Sequence, residues 1–354
     1  MREKSDNQGG QAVLRDVRSI VVFACNLLGD SICRLPAIKA TKEAYASSRL
    51  AVVADPRCGE VFEGQPFIDE VWHLSRRGSR AWRAVEWWGL ARRMRRARPD
   101  LVLDLYGSKR TAFVSWLSGA KWRAGLHRGG RSGWYNLLGK GPRPGAHIIE
   151  QMNEAVRPAG VEARFAYVPI VVGAKERKAA ESVLSGFGGG RLVLLNPSAR
   201  VKAKRWAVER FGEVARRVFE DRSVRCGVIT APGEEALTEA VVRAAGGGAV
   251  ALPVMSLKEL AAVLERTAVL VTGDTGVLHL GAAMGCPAVI LAGPTDPRLV
   301  LCESCRQVAL FHRGACEGWE TGEQCAGYND CRKRRCIDAI GVEEVMEAVR
   351  VILR

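Results

Sequence analysis

The sequence predicts an α/β protein made of two doubly wound, Rossmann-like parallel sheets that face each other across a cleft. Three observations carry this. The chain has 354 residues, too many for one ordinary core. Short β-branched and aliphatic runs alternate with helical patterns twice over, as expected of parallel strands covered on both faces. A glycine-rich connection, SGFGGG at 185–190, separates the two series.

Taken in order, residues 1–18 are polar, lack the apolar core of a secretion signal and read as a flexible leader. The first domain spans 19–184. SIVVFA (19–24) reads as a buried strand, and CNLLGDSICRLPAIKATKEAYA follows as a loop opening into a helix near Ser31. RLAVVA, EVWHL and DLVLDLY continue the strands, and KWRAGL adds a fifth. The second domain spans 191–340. It begins at RLVLLNPS (191–198) and runs through helix 208–220, strand 224–230, helix 234–245, a short strand at 249–252, helix 256–267, strand 268–272, a motif helix and strand 288–292. Residues 341–354 form a last helix. In such sheets ligands bind beyond the carboxyl ends of the strands. The loops at Gly29-Asp30, 196–204, Gly233-Glu234, 273–276 and 293–296 all fall there.

The composition, 47% hydrophobic and 26% charged, fits a folded globular chain and excludes a disordered one. No apolar run approaches the length of a membrane span, and the chain is read as cytoplasmic. A net charge of +15 implies an anionic partner. Much of the excess lies in RRGSRAWRAVEWWGLARRMRRARPD (76–100). Two readings stay open for this helix: its tryptophans pack inward, or a basic, Trp-bearing face rests on an anionic membrane, placing the protein peripherally at the inner membrane. No nucleic-acid-binding motif accompanies the arginines, so nucleic acid is not expected as a partner.

The most informative stretch is VTGDTGVLHLGAAMGCPAVILAGPTDP (271–297), a strand that hands over to a helix through Gly-Asp-Thr-Gly. Asp274 or Thr275 is placed to cap the helix, and the glycines leave backbone N–H groups open. An open helix start is an anion site suited to a diphosphate. His279 lies one turn further on the same face. Alone, this pattern fits any capped helix of an α/β protein.

In combination the motifs are more telling. DTGVLHLGAAMGCPAVILAGPTDP resembles the signature of the heptosyltransferase family, glycosyltransferase family 9. FACNLLGDSICRLPAIKA, RPDLVLDLYGSKRTAFVSWLSGAKWRAGL, NPSARVKAKRWAVERFGEVA and APGEEAL resemble its other segments, in the same order. The resemblance implies a GT-B architecture and inverting transfer from a nucleotide-diphosphate sugar, usually ADP-heptose, with the first domain on the acceptor side and the second binding the nucleotide sugar. It implies Asp30 as catalytic base and Lys204 as the cation on the diphosphate, with Lys202 and Arg205 as neighbours easily confused with it. Thr275 and Gly276 offer N–H groups there, while Asp274 and His279 meet the sugar. Glu234, with Glu235 as the adjacent alternative, faces the ribose, and Thr295 lines the cleft. No Asp-x-Asp pair suggests a catalytic metal, and no cofactor is expected for catalysis. The basic first domain suits an anionic glycolipid acceptor such as a lipopolysaccharide inner core, with Lys109, Arg110 and Arg128 as contacts and Arg76, Arg77 and Arg131 as further candidates. One departure is Ala207, where relatives commonly carry proline after the tryptophan.

Six late cysteines, Cys302, Cys305, Cys316, Cys325, Cys331 and Cys336, crowd the loop 302–336. A structural zinc held by four of them is one reading, disulfides and free thiols the others; a reducing cytoplasm disfavours disulfides. Rival functions are a non-catalytic nucleotide-sugar-binding relative and a transferase for another nucleotide sugar.

Overall fold

The computed structural model describes residues 14–25, 27–75, 78–126, 132–141, 143, 145–302, 304–315, 325, 331 and 333–354. The first sheet and its helices comprise β1 (Ser19–Phe23), α1 (Leu28–Ala44), β2 (Arg49–Ala54), β3 (Glu70–His73), α2 (Arg80–Ala97), β4 (Leu101–Asp104), α3 (Lys109–Leu117), β5 (Trp122–Leu126), β6 (Leu137–Gly139) and α4 (Ile148–Asn153). The second series is α5 (Ala174–Ser185), β7 (Arg191–Asn196), α6 (Val208–Phe219), β8 (Val224–Val228), α7 (Glu235–Ala244), β9 (Val250–Ala251), α8 (Leu257–Leu264), β10 (Val269–Gly273), α9 (Gly276–Ala283), β11 (Ala288–Ala292), β12 (Gln307–Phe311), α10 (Arg335–Asp338) and α11 (Val342–Leu353).

Both sheets are parallel, and they share one strand order. The first runs β3-β2-β1-β4-β5-β6 and the second β9-β8-β7-β10-β11-β12, the doubly wound Rossmann pattern in each case. The central strands are buried on both faces, which is why they read as continuous Val, Leu and Ile runs rather than alternating ones. Register is tight: Val22 sits opposite Val52 and Leu103, and Leu195 opposite Val228 and Val271.

Each sheet has its own core. In the first, Val21, Phe23, Val53 and Val102 pack with Trp72 and with Leu90 and Met94 of α2. In the second, Val193, Leu195 and Val271 meet Trp206, Phe211 and Val214, and α11 adds Val345, Val349 and Ile352. Trp206 also donates its indole N–H to the Ile340 carbonyl (3.1 Å), and Ala207 takes the N-cap position of α6.

Several starts and stops explain themselves locally. Ser108 and Thr111 form a capping box at α3, as do Ser256 and Glu259 at α8. Arg98 closes α2 in the left-handed conformation just before Pro99. Asp104, at the end of β4, is buried. It accepts the Tyr135 hydroxyl (2.6 Å) and the N–H groups of Tyr106 (3.0 Å) and Gly107 (2.8 Å), which fixes the turn that launches α3. Burial, the largest influence, raises its carboxyl above the ordinary range despite those bonds.

The chain divides into two compact units. Less the undescribed residues in each, one comprises 14–26, 34–143 and 149–165 and the other 27–33, 144–148 and 166–354. α5, drawn into the first domain from the sequence, packs on α8 in the second unit. Two edge strands, β6 and β12, are additions to the sequence reading. α1 begins at Leu28 rather than near Ser31, so Asp30 stands in a helical first turn and not in a loop. No helix among the described residues is long and apolar enough to cross a membrane.

Candidate active site

The carboxyl ends of β7 and β10 are adjacent and lie where the strand order of the second sheet reverses, the position at which doubly wound sheets bind ligands. Asn196 closes β7 and reaches across, donating Nδ2–H to Thr272 Oγ1 (2.8 Å) and Thr275 Oγ1 (3.1 Å). Thr275 occupies the N-cap position of α9 with extended backbone, yet its hydroxyl makes no cap. The sequence expectation of a side-chain cap from Thr275 is therefore corrected: Asn196 claims that oxygen. Consequently no side chain at the N-cap covers the first N–H groups of α9, and the positive end of the helix stays available.

Asp274 is the hub. Lys204 Nζ lies 2.5 Å from its Oδ2 and 3.3 Å from its carbonyl oxygen, with both side chains largely buried. His279 Nε2 is 3.8 Å from the other carboxylate oxygen. Burial alone pushes the Asp274 carboxyl up, but the Lys204 and His279 charges and the hydrogen bond from Lys204 outweigh it and hold it below the ordinary range. For His279 burial wins over the attraction of Asp274 and Asp30, and the imidazole pKa falls below 6.5. The ring is thus neutral near pH 7. An ionised Asp274 can only accept, which favours a proton on Nε2 and leaves Nδ1 to accept. The Tyr167 hydroxyl, 2.7 Å from Nδ1, is the matching donor, and burial keeps that phenol protonated. The Cys33 thiol lies 3.4 Å from the same nitrogen.

The start of α1 belongs to this cluster. A Cβ on Gly29 would come within 2.6 Å of His279 Cδ2, and one on Gly276 within 2.8 Å of Leu28 Cβ. Only glycine at both positions lets the two helix starts approach this closely. That approach brings Asp30 near enough to His279 for its charge to be felt at the ring.

On the neighbouring strand end, Gly233 turns with φ +78° and Glu234 follows at the N-cap of α7. Glu234 accepts from Ser198 and pairs with Arg205. Glu235 is occupied locally, accepting from the Gly233 N–H (3.1 Å). The geometry thereby separates the residues that the sequence left confusable: Lys204 faces Asp274, Arg205 faces Glu234, and Glu235 turns back on its own loop.

Family 9 glycosyltransferases (heptosyltransferases) are the family whose model matches this chain, over residues 87–318, well over half of it. The chain belongs to glycosyltransferase family 9. Lipopolysaccharide heptosyltransferase 1 of Pseudomonas aeruginosa is 28% identical over 290 residues, covering 78% of this chain and 79% of the relative. The family 9 glycosyl transferase from Veillonella parvula superposes with a TM-score of 0.80 at 22% identity, covering 97% and 99% of the two chains. E. coli heptosyltransferase WaaC, solved with ADP-2-deoxy-2-fluoro heptose, gives 0.72 at 19% identity, covering 94% and 99%. These likenesses show the fold, which is GT-B.

The first unit of this family 9 chain carries its own concavity. A cavity of about 510 Å³ is lined by Arg57, Arg83, Trp87, Tyr106, Ser108, Lys109 and Arg110. Arg57 is neutralised by buried Asp55, with Nε and a terminal nitrogen each 2.8 Å from its oxygens. Arg83, Lys109 and Arg110 make no ion pair among the described residues, and Arg83 Nε is buried there without a hydrogen-bond partner. The structure therefore brings Lys109 and Arg110 together with two arginines that sequence reasoning did not single out. Arg128, Arg131, Arg76 and Arg77 lie outside the described residues.

Among the late cysteines, Cys302 and Cys305 form a disulfide, with Cα atoms 5.3 Å apart as the two-residue spacing allows. Cys325 is buried and donates its N–H to the Pro294 carbonyl (3.0 Å). Cys331 is half-buried, Cys336 is buried, and Cys316 lies outside the described residues. Among the described residues no group of three or more His, Cys, Asp or Glu could hold a metal ion.

Proposed function

We propose that this family 9 glycosyltransferase moves a heptose from ADP-heptose, with inversion, onto an anionic lipid-linked glycan of the lipopolysaccharide inner core at the cytoplasmic face of the inner membrane. The observation that carries the reading is the cluster of Asp274, Lys204 and His279 at the uncapped start of α9, with Asp30 alongside. The relatives support the heptose and the lipopolysaccharide in this reading: one is a lipopolysaccharide heptosyltransferase, and another was solved with ADP-2-deoxy-2-fluoro heptose.

In this reading the diphosphate lies on the N–H groups of Thr275 and Gly276, with Lys204 neutralising the charge that grows as the glycosidic bond breaks. Glu234 accepts from ribose hydroxyls and Asp274 from those of the sugar, while neutral His279, buttressed by Tyr167, lends Nε2–H to the same pocket. Thr295, whose buried hydroxyl has no hydrogen-bond partner, lines the same pocket. Asp30 takes the proton of the acceptor hydroxyl as its oxygen attacks the anomeric carbon, and ADP leaves from the opposite face. Positive charge at the leaving group comes from Lys204 and the helix start, so the reaction runs without a metal. The acceptor's anionic groups enter the cavity at Arg83, Lys109 and Arg110.

The test is ADP release from purified protein given ADP-heptose and a truncated lipopolysaccharide acceptor. We expect acceptor-dependent release, lowered in Asp30→Ala by about 10²- to 10⁴-fold while donor binding persists. Binding without release by the unaltered protein sinks the acceptor assignment, and absent binding sinks the donor.

A further inference from the structure

We propose that the outward face of α2, together with the exposed side of α3, is a docking surface for an anionic lipid bilayer. The inward arc of α2 is ordinary: Leu90, Ala91 and Met94 are buried, and Trp87 is half-buried against them. The opposite arc is not. Trp82, Val85 and Trp88, three residues apart and hence on one side of the helix, are 54%, 61% and 63% exposed. The inward-packing reading of these tryptophans is overturned for two of the three. Trp82 is held in its outward place by the turn beneath it, where Gly78 (φ +105°) leaves room for the indole; a Cβ there would lie 2.9 Å from Trp82 Cδ1. On α3, which packs beside α2, Phe113 and Trp116 are 44% and 50% exposed with ring centroids 5.9 Å apart.

Charge identifies the occupant. α2 carries six arginines against a single glutamate, and Arg92, Arg95 and Arg96 are exposed on the same side as Trp82, Val85 and Trp88. A solvent-facing arc built of tryptophan and arginine, with no carboxylate on it, matches the headgroup layer of an anionic membrane. There indoles settle at the boundary with the acyl chains, and guanidinium groups meet lipid phosphates. The same two helices wall the basic cavity, since Arg83 and Trp87 come from the inner flank of α2 and Lys109 and Arg110 from the start of α3. A phosphorylated headgroup anchored in the bilayer therefore reaches the cavity while its chains stay in the membrane. This last point deepens the proposed lipid-linked acceptor and rests on it; the docking itself does not.

The experiment is flotation of the full chain with vesicles of phosphatidylcholine alone, and of phosphatidylcholine mixed with phosphatidylglycerol, with no acceptor present. We expect flotation with the anionic vesicles only, weakening as salt rises. Trp82→Ser/Val85→Ser/Trp88→Ser should lower partitioning by at least about tenfold. Arg92→Gln/Arg96→Gln should lower it by about fivefold per arginine. All five positions are exposed, and both variants should retain transfer to a delipidated acceptor. Equal binding to neutral vesicles, or variants that partition like the parent, overturns the proposal. So does a parent protein that self-associates through this face and becomes monomeric in the triple variant, which would make the surface an interface between copies. A protein that floats yet transfers nothing counts against the proposed reaction and leaves the docking intact. One that transfers to delipidated acceptor without floating does the reverse.

Discussion

The two sheets share a strand order and differ in how the loops above them handle charge. At the carboxyl ends of β7, β8 and β10 two part-buried cations are locked to anions: Lys204 to Asp274, Arg205 to Glu234. Beyond β4, by contrast, Arg83, Lys109 and Arg110 stand around an open cavity with no ion pair among the described residues. Groups locked in pairs are preorganised and hold their geometry before a ligand arrives, which suits a compact ligand bound the same way every time. Unmatched cations project a field instead, steering a large anionic partner without specifying its shape. One fold thus carries two modes of recognition, and the contrast can be attacked from either side.

The largest effect is expected from Lys204→Met, which strands the Asp274 carboxylate. It should lower the free energy of unfolding in urea by about 3 kcal/mol and abolish donor binding. Adding Asp274→Asn should restore much of the stability and none of the binding. A loss no greater than about 0.5 kcal/mol, the scale of a surface change, would show that the pair organises nothing. Next comes Gly29→Ala, whose methyl group would press on His279. We expect about 1–3 kcal/mol of destabilisation, relieved when His279→Ala is added. If Gly29→Ala is silent alone, the close approach of the two helix starts is not what the site requires.

The third effect is pH dependence. Burial lowers the folded pKa of His279 below 6.5, so the unfolded chain takes up a proton before the folded one does. Stability is full above about 6.5 and declines as pH falls from there toward the folded value, by at most about 1.4 kcal/mol per pH unit. The melting temperature of the parent should track this decline, and His279→Gln should flatten it in that window. The smallest effect belongs to the open cavity. Lys109→Gln and Arg110→Gln should each raise KM for the acceptor by about threefold, more at low salt, with donor KM unchanged. A change in donor KM would erase the division of labour between the two sheets.

Much of this was legible beforehand because the physics is local. Val, Leu and Ile runs announce strands buried on both faces, and Gly-Asp-Thr-Gly before an apolar helix announces an open helix start. What the sequence concealed depends on distant partners. β6 is three residues long and ends at Gly139, where a Cβ would fall 2.4 Å from the Glu154 carbonyl oxygen, so no periodicity marks it. Thr275 reads as a cap until Asn196, 79 positions away, takes its hydroxyl. Tyr167 lies in an irregular stretch with no pattern to single it out, and its partner His279 is 112 positions on. Trp82 and Trp88 follow helical spacing, but spacing alone does not say which arc meets the core.

Residues 27–33 group with the second unit although β1 and the remainder of α1 belong to the first. For anyone recombining this enzyme with a relative, the consequence is practical. A chimera joined in the stretch before α5 would take Gly29 and Asp30 from one parent and His279 from the other. Since the space vacated at Gly29 is the space His279 fills, the two positions behave as one heritable unit. A crossover that parts them inherits a mismatch even when each half is intact.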